Sequence, residues 1–117
     1  MSQREFNEKL NNRESFLLAA DGCYLGRLTL SEYAPDSISN PYGTHGSVYS
    51  SASIWNQYGS YGSQYSSLSP FNPYTSTPPF VFLWGQKVGV LTKNSYLAGG
   101  IDPATLKDWM AKYNLYY

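Results

Sequence analysis

A single cysteine, Cys23, and a single histidine, His45, stand in 117 residues. One thiol excludes an internal disulfide framework and any multi-cysteine metal centre. No apolar run approaches the roughly 18 residues that a membrane-spanning helix needs. Net charge is absent too: eight Lys and Arg balance eight Asp and Glu, so no overall field draws the chain to nucleic acid or anionic lipid. The first residues, Met1-Ser2-Gln3-Arg4-Glu5-Phe6, are polar where a secretory leader would be apolar, which favours a cytoplasmic location. The largest absence is internal. From Ser37 to Gln86, fifty residues pass without one Asp, Glu, Lys or Arg.

Ser, Tyr, Gly, Asn, Pro and Thr fill that stretch, with Trp55, Phe71, Phe80, Phe82 and Trp84 among them. So few aliphatics suit a low-complexity tract, but so many aromatics do not suit a disordered one. Spacing favours order. Ser37, Ser53 and Ser69 stand 16 apart, as do Asn40, Asn56 and Asn72, and Tyr42, Tyr58 and Tyr74. A fixed register is the signature of a structural repeat. Asn40-Pro41-Tyr42-Gly43 predicts a tight turn with Gly at positive φ, and Ser-x-Tyr-Ser a short extended piece. Hydroxyls and side-chain amides would satisfy the turn backbone, and the expected product is a stack of compact loops.

The flanks of the repeat resemble each other. Phe16-Leu17-Leu18 leads through Asp21-Gly22 to Leu25-Gly26-Arg27-Leu28-Thr29 and then Tyr33. Phe80-Val81-Phe82-Leu83 leads through Trp84-Gly85-Gln86 to Val88-Gly89-Val90-Leu91-Thr92 and then Tyr96. Each predicts a β-hairpin, the first with the stronger turn signal. Asp102 before Pro103 is an N-cap with proline in the first turn, and Leu106, Trp109, Met110 and Tyr113 fall on one helical face. Gly99-Gly100 would be the joint before it. The expected fold is α+β in one domain over 1–117: an N-terminal arm or short helix at 1–14 anchored by Phe6 and Leu10, hairpins at 15–33 and 79–93 forming a small antiparallel sheet, irregular 16-residue repeats at 37–76, and a C-terminal helix at 102–114.

Residues that could carry chemistry are few. Cys23 and His45 make a nucleophile and base only if the first repeat folds back on the first hairpin. His45 also holds the slot that Tyr61 fills in the next unit, so it serves equally as a ring in a repeat. Asp21, Glu32, Asp36, Ser37 and Asn40 gather oxygen ligands around the entry to the repeat, the set for a calcium site. The competing role for Asp36 is to cap a turn with its carboxylate. No phosphate-binding loop appears, no basic groove accompanies the aromatics as single-stranded nucleic acid requires, and paired acids across a cleft are missing from the charge-free centre.

The run Pro35-Asp36-Ser37-Ile38-Ser39-Asn40-Pro41-Tyr42-Gly43, continued by Gly46-Ser47-Val48-Tyr49-Ser50 and preceded by Leu25-Gly26-Arg27-Leu28, resembles a set of bacterial proteins. They carry tandem Pro-Asp-Ser-x-x-Asn-Pro-Tyr-Gly-x-Tyr-Gly-Ser-x-Tyr-Ser units flanked by Leu-Gly-x-Leu segments. The resemblance spans roughly residues 22–96 and implies the repeat architecture, without an activity. His45 stands where those units carry Tyr, and Ala52-Ser53 and Leu68-Ser69 replace Asp-Ser, so only Asp36 keeps the acidic position.

The function these features favour is a non-catalytic binding or structural module. Its neutral Tyr/Ser/Asn surface would recognise a protein or glycan by aromatic contact and hydrogen bonding, as Tyr-rich paratopes do. Tyr42, Trp55, Tyr58, Tyr61, Tyr65 and Tyr74 are the candidate contacts, at least half of them expected to serve as the repeat's own core. Exposed Tyr/Gly strand edges would also invite a homo-oligomer. No cofactor is expected. A calcium-stabilised module around Asp36 is the first alternative, and a small enzyme using Cys23 or His45 the second.

Overall fold

Ser2 opens the chain's first helix. Its Oγ accepts the Glu5 amide at 3.1 Å while its hydroxyl donates to the Glu5 carboxylate, a side-chain N-cap that the sequence carries as Ser-x-x-Glu. The computed structural model describes residues 1–116; residue 117, the last of the expected span, lies outside them. Helix α1 (Gln3–Asn11) lays Phe6 edge-on against Phe16 and Phe82, with centroids 6.3 and 5.5 Å apart. Those two rings lie flat on each other at 4.7 Å and 4°.

Phe16 and Phe82 are cross-strand partners at the centre of a five-stranded sheet. Strands β1 (Phe16–Leu18), β2 (Tyr24–Arg27), β3 (Phe80–Leu83), β4 (Gln86–Leu91) and β5 (Gly100–Ile101) run in the order β2-β1-β3-β4-β5. The first four are antiparallel neighbours and β5 is parallel to β4, so the fold is a small α+β domain with a mixed sheet. Alternation along β1 and β3 sends Phe16 and Phe82 toward α1. The next pair, Leu17 and Val81, faces the other way into the main core, with Leu25, Leu28, Ile38, Ile54, Leu91, Leu106 and Met110.

The hairpins close by different chemistry. The Asp21-Gly22 corner sits in a longer loop, where Gly22 has φ +90° and Asp21 accepts the Cys23 amide. Trp84 and Gly85, at φ +53° and +81°, form a two-residue loop with both central residues left-handed, the turn that best matches strand twist. The weaker sequence signal therefore makes the tighter turn. Tertiary contacts hold Trp84 in that conformation: its amide donates to Ser15 Oγ at 3.0 Å, the Gly85 amide donates to the Glu14 carbonyl, and its ring meets Tyr113 at 5.8 Å.

The likeness between the flanks extends beyond the hairpins. After β2 the chain turns back so that Ser37 bridges Arg27 in parallel; after β4 it turns back so that Gly100 pairs with Val90 in parallel. The Arg27 amide donates to the Asp36 carbonyl, and the Val90 amide to that of Gly99. Gly100 therefore begins a strand, while Gly99, at φ +71°, remains the joint before it. Gly89 permits it, because a Cβ there would lie 2.2 Å from the Gly99 oxygen. The two halves diverge only afterward. Ser39-Asn40-Pro41-Tyr42 begins the repeat. Asp102 instead accepts the Ala104 amide at 2.9 Å and starts a 3-10 turn, Pro103–Thr105, that runs into α2 (Leu106–Lys112). Leu106 and Met110 of α2 are fully buried.

Between the halves, backbone bonds from residue i+3 to residue i link consecutive turns. From Ser37 to Ser53 they advance three, three, four, three and three residues, and they do the same from Ser53 to Ser69. At most corners a Ser or Asn oxygen accepts the amide two residues on: Tyr42 on Asn40, Tyr49 on Ser47, Trp55 on Ser53, Tyr58 on Asn56, Tyr65 on Ser63, Tyr74 on Asn72, all at 3.0–3.1 Å. Each Asn amide also donates to the carbonyl six residues back, at 3.1 Å in all three units. Short polar side chains thus replace a strand ladder, and among the described residues no buried side-chain nitrogen or oxygen is left without a partner.

Two local expectations fail here. Ser-x-Tyr-Ser is a further turn and not an extended piece, so the strand edges expected to promote pairing do not form. Gly43 and Gly59 are not left-handed. A Cβ on Gly43 would come 3.0 Å from the Pro35 carbonyl oxygen, whereas one on Gly59 would meet only the Asn56 side chain, its nitrogen at 3.2 Å.

Candidate functional site

Because Ser37, Ser53 and Ser69 are all fully buried, as are Ile38, Ile54 and Pro70 after them, each 16-residue unit presents the same face to the sheet. The slots opposite must then face solvent in register. Tyr33, Tyr49 and Tyr65 form one file and Tyr42, Tyr58 and Tyr74 another, with Tyr96 following Asn94 in the same way after β4. All seven are between 85% and 95% exposed. Each stands two residues after the Ser or Asn that accepts its own amide, so the backbone beneath every ring is held while the ring projects.

Four of the six rings nominated from sequence, Tyr42, Tyr58, Tyr65 and Tyr74, lie in these files. The expectation that at least half would be core is corrected: only Trp55 and Tyr61 pack against the core. Trp55 donates its indole N–H to the Ile38 carbonyl at 2.7 Å and meets Phe71 at 6.0 Å. The Tyr61 hydroxyl donates to the Asp21 carboxylate at 2.7 Å. That bond is the main reason its phenol titrates well above the usual tyrosine range, with burial adding to it. Tyr33, Tyr49 and Tyr96 were missed. The signal that finds them is Ser/Asn-x-Tyr, read as a turn that caps its own third residue; the cap holds the backbone and docking decides the ring, since Trp55 stands in the same place after Ser53 and packs inward.

Exposed and half-buried rings meet at one place. An open groove of about 580 Å³ is lined by Tyr58, Tyr65, Trp55, Phe71, Gln57 and Gln64, with Ile54 and Gly62 beneath them. Tyr58 and Tyr65 come from the two different files, so the files border a common groove. No formal charge lies within the fifty residues around it.

The oxygen ligands nominated for calcium are not assembled as a site. Asp36 pairs with Arg27 at 3.0 Å and accepts the Tyr24 hydroxyl at 3.2 Å, so it does not cap a turn either. Asp21 is taken by Tyr61 and the Cys23 amide. Ser37 donates to the Ser31 carbonyl, Asn40 accepts the Tyr42 amide, and Glu32 points to solvent. Among the described residues no three His, Cys, Asp or Glu side chains converge as a metal site.

The first repeat does fold back on the first hairpin, as a Cys–His pair would require. His45, however, directs Nδ1 at the Ala52 carbonyl, 3.1 Å away, and sets its ring edge-on to Tyr24 at 5.1 Å. The Cys23 thiol faces the Tyr24 carbonyl at 3.6 Å. His45 fills the repeat slot that Tyr61 fills one unit later. Both slots face the first hairpin and tie the array to it.

Among the described residues no helix is long and apolar enough to cross a membrane. Comparison of the chain with protein-family models, with curated proteins and with solved structures returned no match.

Proposed function

We propose that this chain is a non-catalytic binding module whose uncharged turn array recognises a protein or glycan partner through its exposed tyrosines. One observation carries the reading: seven tyrosines project almost fully into solvent from backbone fixed by side-chain caps. Nothing in the fold's own packing requires large rings there. Tyrosine offers wide contact area with few torsions to immobilise, and a held backbone adds little further ordering cost on binding. The resemblance to bacterial Asn-Pro-Tyr-Gly repeat proteins belongs to the same proposal.

Stability and binding separate the roles of the rings. Tyr42→Ala, Tyr58→Ala, Tyr65→Ala and Tyr74→Ala should each change stability by no more than about 0.5 kcal/mol, as surface replacements do. Tyr61→Ala loses a hydrogen bond and core packing and should melt clearly lower. On glycan and peptide arrays the fourfold tyrosine variant should bind at least roughly tenfold more weakly than the parent, about 1.4 kcal/mol. Equal destabilisation at all five positions would show the files to be structural and end the reading.

A further inference from the structure

We infer that the groove between Tyr58 and Tyr65 is a subsite for a pyranose ring of an uncharged oligosaccharide. The inference rests on the binding-module reading and narrows it to one ligand class. The groove's volume of about 580 Å³ falls within the range of small-ligand sites, roughly 300–1,000 Å³. Its base carries two half-buried rings, Trp55 and Phe71, and its rim two exposed ones, Tyr58 and Tyr65. Trp55 is already locked by its bond to the Ile38 carbonyl, so a ring face is presented without further ordering. Aromatic faces of this kind suit the C–H faces of a sugar, whose hydroxyls point outward around the edge.

The polar groups select further. Gln57 and Gln64 line the groove and are exposed. Each side-chain amide both donates and accepts, matching vicinal hydroxyls that do the same. A proline-rich segment also fits aromatic grooves, but its carbonyls only accept and would engage only the donor half of each glutamine amide. A strand-forming peptide finds no edge, because the turn amides are closed on Ser and Asn side chains. An acidic or basic ligand finds no counter-charge between Ser37 and Gln86. The equivalent place one unit earlier has Ser39 where Trp55 stands, so only the Tyr58–Tyr65 groove has a two-ring base.

The test titrates the full chain with cellohexaose, maltohexaose, laminarihexaose, mannohexaose and xylohexaose, read by tryptophan emission and by calorimetry. Decaproline and hexagalacturonate serve as the competing ligands. At least one neutral hexasaccharide should bind and change the emission. The emission change should vanish in Trp55→Phe while calorimetric binding remains. Tyr65→Ala and Tyr58→Ala should weaken binding at least roughly tenfold, with melting midpoints that certify their folds, and Tyr65→Phe should keep it. Binding of decaproline or hexagalacturonate alone, or of no sugar by either method, overturns the subsite. If the fourfold tyrosine variant still loses a peptide partner on arrays while every sugar fails, the module reading stands and only the glycan subsite falls. If the arrays show no tyrosine-dependent binding either, both fall.

Discussion

Gly62 and Gly59 lie three residues apart in one repeat unit and do different work. A Cβ on Gly62 would sit 2.2 Å from the Asn56 carbonyl oxygen and 2.6 Å from that of Ile54, both rigid backbone. On Gly59 its nearest neighbour is the Asn56 side-chain nitrogen at 3.2 Å, which can give way. Gly62→Ala should therefore cost about 3 kcal/mol or more and Gly59→Ala about 1 kcal/mol or less, measured by denaturant unfolding. Equal losses would mean that crowding inside the turn does not explain the glycine pattern. The periodic Gly was visible in the sequence, and so was its association with turns. The φ argument attached to Gly43 was wrong because a three-residue turn of this kind can be closed without a left-handed residue. What demands glycine is carbonyl crowding between turns, which no single turn motif encodes.

The first hairpin is joined to the repeat by a cluster of polar groups around Tyr24. Its hydroxyl donates to Asp36, which also pairs with Arg27; Lys9 lies over its ring at 4.3 Å, and His45 meets the ring edge. Burial is the main cause that raises the Tyr24 phenol above its ordinary range, with the Asp36 carboxylate adding to it. A free tyrosine titrates at roughly 10. Since the folded value is higher, the unfolded chain releases this proton first. The stability it contributes is complete below about pH 10 and declines as pH rises through the folded value. Tyr24→Phe should be less stable than the parent near neutrality by about 1 kcal/mol for the lost hydrogen bond. The gap should close in alkali, followed by unfolding midpoints from about pH 8 to about pH 11. A gap that widens with pH would contradict the assigned burial. The element itself was legible, since Asp-Gly between apolar runs predicts a hairpin. The partner of Asp36 was not, because Arg27 and Tyr24 reach it only when the chain doubles back after β2.

At the scale of the molecule, the sheet sets how long the repeat must be. The array leaves beside β2, where Arg27 bridges Ser37. It arrives beyond β4, where the Lys93 backbone amide donates to the Pro70 carbonyl at 2.8 Å and the Asn94 side-chain Nδ2 to that of Thr75 at 3.0 Å. Between β2 and β4 lie three interstrand steps, roughly 14 Å, and the two 16-residue steps from Ser37 to Ser69 bridge them. Deleting residues 47–62 keeps every turn in register, joining Gly46 to Ser63. It removes Ile54 from the core, a loss of about 2–5 kcal/mol for such a side chain, and leaves the array one unit short of β4. The shortened chain should melt on the order of 10 °C or more below the parent by circular dichroism. An unchanged cooperative midpoint would show that the array is not gauged by the sheet.

The amino-acid order alone determined the 16-residue register, the two hairpins and their likeness, and the helix behind Asp102-Pro103. Each rests on bonds that close within a few residues, where side-chain chemistry and spacing suffice. Which tyrosines face solvent, which ring Asp21 holds, and the parallel return of Gly100 onto β4 came only with the assembled fold. Tyr58 and Tyr61 share one unit and differ by three positions. One projects and the other is bound, because burying Ile54 against the sheet turns one slot outward and carries the next to Asp21, forty residues earlier in the chain. Such pairings depend on the docking of one element upon another, and hydrophobic burial sets that docking without leaving a local mark.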